Sequence, residues 1–402
     1  MIATGLFLAG LVLSVFTYVF AATALAVHRR RARGERLPGF SPAVSILKPL
    51  SGLDEGLEEN LESFYRLDYL DYEIIFSFAR REDPAFAVAR RVADRHPEIS
   101  TLFVVDAREP GGNAKVNRLA AAFRRARHRL LLLSDGNVRV RPDFLGRAVS
   151  WFAQPRVGLV SHLFRAVGAR SLGSRLESLH LNGALQAGTA TLAGVFRSPC
   201  VVGKSILVSR DALDSIGGFA ALRDYLAEDY LIGQFVERAG FRVVLSSDEI
   251  ETTEFSKTLR SVWSRQRRWA ILRRRLGGVS YGGELLASPL PWAVGAILAG
   301  GGATGVTAAA LTLYVTRLLA EAISAADCRR PLRVAEALLL PIRDAGVAAL
   351  FWGGLLGRRT SWRGRSLRVG ERTLIRRETP KPYLYKSFLG CQNKIRLSTK
   401  IT

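Results

Sequence analysis

Arg129-Leu130-Leu131-Leu132-Leu133-Ser134-Asp135-Gly136-Asn137 is a short apolar run that stops at an acidic residue and a turn. Four consecutive leucines bounded by turn residues match a strand buried on both faces, the kind found in parallel sheets. Val44-Ser45-Ile46-Leu47, Glu73–Phe78 and Thr101–Val105 have the same character. Between them, Leu57–Arg66, Ala85–Arg95 and Ala114–Arg127 alternate apolar and polar residues at helical spacing. The alternation predicts right-handed βαβ units and an α/β domain with a doubly wound, mostly parallel sheet, from Ala43 to near Arg275. Ligands of such sheets bind beyond the carboxyl ends of the strands, so the residues just after each strand come first as candidates for chemistry.

The flanks read differently. Ile2 to Val27 is apolar and uncharged, long enough to span a bilayer, where about 20 residues suffice. His28-Arg29-Arg30-Arg31-Ala32-Arg33 follows at once and places that end in the cytoplasm. A cleaved signal peptide fits poorly, because its charges precede the apolar run. Leu285 to Ile323 is apolar again, interrupted by Gly300-Gly301-Gly302, and Ala335 to Gly357 is apolar apart from residues such as Arg343 and Asp344. That charged pair is either paired or functional inside the membrane, or lies at its surface. Arg358, Arg359, Arg363, Arg365 and Arg368 come next. The expected organisation is an anchor at 1–28, a cytoplasmic catalytic domain at 29–280, a membrane region with two crossings at 281–357, and a basic tail at 358–402. The stretch from Lys381 onward receives no role.

Composition fits this layout. The chain has 402 residues, with 58 Lys and Arg against 35 Asp and Glu, a net charge of +23. Mean hydropathy is nevertheless +0.12. A soluble nucleic-acid binder rarely combines the two; a basic membrane protein does. Cys200, Cys328 and Cys391 are widely separated, which argues against a disulfide framework or a thiolate metal site. The five histidines show no zinc-binding spacing.

Three acidic positions fall where the strand-end rule points: Asp83 after the second strand, Asp135 after the leucine run, and Asp229 in Ala227-Glu228-Asp229-Tyr230 at the start of a helical pattern. Gln266-Arg267-Arg268-Trp269 follows. Singly, each has an ordinary explanation: helix caps, a first-turn dipole pair, a solvated basic face. As an ordered set they suit transfer from a nucleotide sugar. A carboxylate at a strand end can hold Mg²⁺ or Mn²⁺ on a diphosphate. Another can deprotonate an acceptor hydroxyl, and arginines can offset the charge that develops on the leaving group.

The chain resembles the ceramide glucosyltransferases, glycosyltransferase family 21, in the inverting GT-A group. The resemblance rests on Gln266-Arg267-Arg268-Trp269, on Lys48-Pro49-Leu50-Ser51-Gly52-Leu53-Asp54, on Asn60-Leu61-Glu62-Ser63-Phe64, on Asp83-Pro84-Ala85 and on Ala227-Glu228-Asp229-Tyr230. Ile342-Arg343-Asp344 and Ser361-Trp362-Arg363 extend it into the C-terminal region. It implies a membrane-bound enzyme that moves glucose from UDP-glucose to the hydroxyl of a lipid such as ceramide. Hopanoid-associated glycosyltransferases are also similar, which leaves open N-acetylglucosamine transfer to a hopanoid or other lipid. It further implies that Asp229 is the general base. Lys48, Asp83, Lys115, Asp135, Gln266, Arg268 and Trp269 would bind the donor, and Asp135 with Asn137 would hold a divalent cation. The partners implied are a UDP-sugar, a lipid acceptor and anionic headgroups, with no nucleic acid.

Two positions depart from the family pattern. Asp135-Gly136-Asn137 has a neutral oxygen donor, and Arg118 replaces an asparagine after Asn117. Lys115 by itself reads equally as a solvated helix side chain. His162 reads as a structural histidine, Cys200 as a packing residue rather than a nucleophile, and Arg260–Arg275 as a helix at the membrane surface. A non-catalytic basic membrane protein would explain the charge but not the ordered motifs. A processive polysaccharide synthase would require more spans.

Overall fold

The computed structural model describes residues 1–31, 33–34, 37–327, 333–362 and 365–377. Arg363, Cys328, Cys391 and the tail from Lys381 onward lie outside them. The N-terminal helix α1 spans Ile2–Arg31, 30 residues, which at about 1.5 Å per residue exceeds the hydrocarbon thickness of a bilayer. Its last turns enter the body of the protein. There Leu25 packs with Leu163, Ala187, Ala190 and Leu245, and Arg29 bonds Gln186 at 2.6 Å and Glu249 at 2.7 Å.

The α/β body follows the expected order: β1 Val44–Pro49, α2 Leu57–Tyr65, β2 Tyr72–Phe78, α3 Pro84–Asp94, β3 Ser100–Val105, α4 Ala114–Phe123 and β4 Leu130–Ser134. It continues with β5 Val138–Arg139, α5 Phe144–Ser150, β6 Val157–Val167, α6 Leu172–His180, a π-helical turn at Leu181–Leu185, and α7 Gln186–Gly194. Then come β7 Ser205–Ser209, α8 Arg210–Ser215, α9 Glu228–Arg238, β8 Arg242–Thr253 and α10 Leu259–Gly277. The eight strands lie in the order β3-β2-β1-β4-β7-β6-β8-β5. Only β7 and β5 run against the other six. Every residue of β1, β2 and β4 is buried, as an apolar run covered on both faces requires. The order reverses at β1, which pairs with β2 on one side and β4 on the other. This reversal opens a crevice at the ends of β1 and β4.

Helices α11 Leu290–Ala299, α12 Thr304–Asp327, α13 Val334–Ala337 and α14 Leu340–Leu356 follow. Leu11 of α1 packs with Ala293, Ala296, Ala310 and Tyr314 of α11 and α12. Among the described residues, α1 alone is long and apolar enough to cross a membrane. For the two C-terminal crossings expected from sequence, no helix among the described residues meets that measure. Gly301 and Gly302, with φ of 62° and 75°, end the first apolar stretch at ten-residue α11. Helices α12 and α14 bury charges instead. Arg317 pairs with Glu321 at 2.5 Å, and Arg343 pairs with Glu321 at 2.9 Å and Asp344 at 2.5 Å. Thus Arg343 and Asp344 are paired and buried.

Strands β9 Arg359–Trp362, β10 Arg365–Val369 and β11 Ile375–Arg377 form a separate antiparallel sheet. Leu367, Val369 and Ile375 pack on Leu226, Ala227, Ile271 and Leu272. The alternation of exposed Arg365 and Arg368 with buried Leu367 and Val369 makes this segment a folded cap on the α/β body rather than an extended basic tail.

Candidate active site

The site grows from the ends of β4 and β1 and the start of α4 and α9. Asn113 caps α4, accepting from the Lys115 and Val116 amides at 3.0 and 3.2 Å, as an N-cap asparagine does. This start turns Lys115 inward. Its ammonium lies 2.9 Å from Asp135 Oδ1 and 3.3 Å from Glu228 Oε1, and donates to the Gly203 carbonyl at 3.1 Å. Asn113 Nδ2 donates to Glu228 Oε2 at 2.9 Å and to the Tyr225 carbonyl at 2.7 Å. Asp229 stands against Gly203, where a Cβ would overlap its carboxylate. Lys115, Leu133, Gly203, Phe219, Glu228 and Asp229 line a small cavity.

The cluster is rich in negative charge. Burial works against the charge on Lys115, but Asp135, Glu228 and Asp229 outweigh it and hold the ammonium above the usual lysine range. Burial raises both Glu228 and Asp229, partly offset by Lys115. A carboxylate raised this way has the stronger proton affinity a general base needs.

Lys204 closes the other side. Its ammonium lies 3.5 Å from Asp135 Oδ2 and 2.9 Å from Asn137 Oδ1. The Asp135 carboxylate and the Asn137 amide oxygen thus converge on one cation position. That arrangement suits a hard divalent ion completed by diphosphate oxygens and water. Among the described residues, no group of three His, Cys, Asp or Glu side chains forms an all-protein metal site. Lys48 lies behind, fully buried, donating to Ser134 Oγ and the Asp135 carbonyl at 3.1 Å each. It sits 3.6 Å over the Phe64 ring. Burial lowers its pKa to about 7, against the opposing pull of Asp135.

A polar chain links this cluster to α10. Asn137 reaches Glu254 at 3.5 Å, and Glu254 bonds Arg265 at 2.7 Å and Lys257 at 2.7 Å. Arg265 also pairs with Glu177, which accepts from Gln266 at 2.8 Å. Although burial opposes its charge, Arg265 with Lys257 and Lys204 holds Glu254 at about 2. Trp269 packs between the main core and the small sheet, with Arg265 5.9 Å above its ring. Arg268 is half-buried on the same helix.

The structure therefore brings Lys48, Lys115, Asp135, Asn137 and Asp229 together and ties Gln266 to them through Glu177 and Arg265. Asp83 stands at the end of β2, where it caps α3 and accepts from the Ala85 amide at 3.0 Å and the Gly52 amide at 2.9 Å. Its carboxylate fastens the opening Pro49–Asp54 loop. Asn117 bonds Gly111 through both backbone groups, at 3.1 and 2.9 Å. Arg118 is buried, donating to the carbonyls of Phe78, Asp106 and Arg108, and so joins the ends of β2 and β3. His162 is buried against Phe144, and burial lowers it to about 4. Burial raises the Cys200 thiol to about 11, which leaves it a poor nucleophile.

Sequence reasoning gave no site role to Lys204, Glu228, Glu177 or Glu254, and it read Arg265 only as part of a basic helix at the membrane surface, whereas the guanidinium is largely buried between Glu177 and Glu254. Glu228 lies inside the Ala227–Tyr230 motif, and Lys204 and Glu254 lie at strand ends. Glu177 carries no local signal at all.

The sequence model of glycosyl transferase family 21 matches residues 7–375. Ceramide glucosyltransferase 1 of Caenorhabditis elegans is 30% identical over 233 residues, 58% of this chain and 50% of that protein. Ceramide glucosyltransferase 3 of the same organism is 29% identical over 249 residues, 61% of this chain and 53% of that one. The chain spans about half the length of these curated relatives. The mannosyltransferase PcManGT of Pyrobaculum calidifontis, solved with GDP-Man and Mn²⁺, overlaps with a TM-score of 0.48 at 20% identity, covering 87% of this chain and 99% of that one. With a family match that runs through most of α1, the α/β body and the C-terminal sheet, the chain belongs to glycosyl transferase family 21.

Proposed function

We propose that the protein transfers glucose from UDP-glucose to the hydroxyl of a membrane lipid such as ceramide, with inversion at the anomeric carbon. The observation that carries this reading is the Lys115–Asp135–Glu228–Asp229 cluster at the ends of the parallel strands, in a chain of family 21. Asp229, raised by burial, accepts the proton of the acceptor hydroxyl. The oxygen attacks the anomeric carbon, and the bond to the diphosphate breaks with its electron pair leaving on UDP. Lys115 and Lys204, both facing Asp135, are placed to bind the departing diphosphate. Asp135 and Asn137 would hold Mg²⁺ or Mn²⁺, which supplies charge neutralisation on the diphosphate when bound. Gln266, Arg268 and Trp269 on α10, together with Asp83, frame the donor and acceptor side.

The anchor α1 and the basic face of α10 would hold the domain on the cytoplasmic leaflet, in contact with anionic headgroups. The test is a membrane assay with a panel of UDP-sugars and lipid acceptors, read by mass spectrometry. Glucosylated ceramide supports the proposal. Product only from another sugar and lipid would replace the substrates, and no product from any pair would overturn the reading.

A further inference from the structure

The segment beyond Gly357 touches the loop that carries the catalytic carboxylates. Helix α9 starts at Glu228 with Ala227 in the capping position, and alanine has no side chain to cap with. The two amides just before the helix are satisfied by Thr373, 146 and 147 residues away in the chain. The Ala227 amide donates to Thr373 Oγ1 at 3.2 Å, and the Leu226 amide donates to the Thr373 carbonyl at 3.0 Å. On either side, the Ile375 amide donates to the Asp224 carbonyl at 2.8 Å, and Tyr225 bridges Leu374. Asp224 also accepts from the Gly112 amide at 2.8 Å, at the entrance to the Asn113–Lys115 turn.

Thr373 does this in a costly conformation. Its φ is 67°, next to Arg372 at 46°, and the left-handed region is an outlier for a β-branched residue. It is also fully buried. Such strain persists only where the surroundings over-determine it, and it concentrates at functional sites. Here the surroundings are the hydrogen bonds just named and the packing of Val369 and Ile375 on Leu226 and Ala227.

We infer that Thr373 is a positioning residue for the transfer reaction: its hydroxyl and carbonyl fix the Leu226–Ala227 turn and thereby aim Asp229 and Glu228 into the site. The three-stranded sheet is then a working part of the catalytic domain. This inference rests on Asp229 being the base. It predicts a loss in turnover without a loss in donor binding, because Thr373 touches the turn before the carboxylates and not the diphosphate side.

The experiment compares Thr373→Val, which keeps the shape and removes the hydroxyl, with Thr373→Ser, which keeps the hydroxyl. Both are made in the full chain in detergent, with Asp229→Asn in parallel. Thr373→Val is expected to lower kcat about tenfold, with KM for UDP-glucose within about twofold of wild type. Thr373→Ser is expected to stay within about twofold in both. UDP-glucose binding by calorimetry shows which variants are folded. Wild-type kcat in a folded Thr373→Val, or an equal kcat loss in Thr373→Ser, overturns the inference. If Thr373→Val does not fold, a kcat loss in Thr373→Ser overturns it and wild-type kinetics there sustain it. If Asp229→Asn retains turnover, the base assignment fails, a result separable from either Thr373 outcome.

Discussion

Two of the buried groups of charges among the described residues are balanced differently. Between α12 and α14, Arg317 and Arg343 face Glu321 and Asp344, two cations against two anions. Tyr314 donates to Asp344 at 3.2 Å, and Arg317 lies 3.5 Å over the Tyr18 ring. At the strand ends, Asp135, Glu228 and Asp229 face Lys115 and Lys204, three anions against two cations, with Lys48 behind them in a setting whose burial disfavours its charge. The first group neutralises itself and joins helices. The second carries an anionic surplus, and burial stores that surplus as raised proton affinity on Asp229 and Glu228. A matched cluster is a strut. An unmatched one has something left over to use on a proton or a cation.

The largest expected effect comes from breaking the balanced group. Arg343→Ala leaves Glu321 with Arg317 alone and removes the ion-pair partner of Asp344. It should cost about 3–5 kcal/mol, the usual penalty for an orphaned buried charge, read as a lower melting temperature in detergent. The surplus group should respond with the opposite sign. Glu228→Gln relieves repulsion with Asp229, so its melting temperature should equal or exceed that of wild type while transfer falls. Equal destabilisation by the two substitutions would erase the distinction between the groups.

A smaller effect concerns acid. Glu254 is held at about 2 in the folded chain, below its ordinary value of about 4.3. Its stabilising contribution is therefore complete above the ordinary value and is lost as pH falls toward 2. Glu254→Gln should remove that part of the acid dependence, leaving a shallower decline in melting temperature between about pH 4.5 and pH 2. An unchanged slope would mean that Glu254 does not link α10 to the sheet.

The α/β body was legible because its signals are local. The leucine run, the cap at Asp83 and the helical spacing between strands each report on a few neighbouring residues, and the limits of β1 to β4 and α2 to α4 agree to within a few positions. The position of Asp135 at the end of β4 was legible for the same reason. Other parts depend on distant chain. Glu177 reaches Gln266 and Arg265 across 89 and 88 residues, and Thr373 reaches Ala227 across 146. Neither leaves a trace in its own neighbourhood. The C-terminal helices are harder to read locally: the composition is apolar, while the place where they break and pair depends on Gly301 and Gly302 and on the Arg317–Glu321 and Arg343–Asp344 pairs.

The most direct test of the account is lipid glucosylation by Asp229→Asn beside wild type, measured as product by mass spectrometry under conditions where calorimetry shows both bind UDP-glucose. With Asp229 as the base, transfer should fall by about 10²- to 10⁴-fold while donor binding stays close to wild type. Near-normal turnover in that variant would contradict the account.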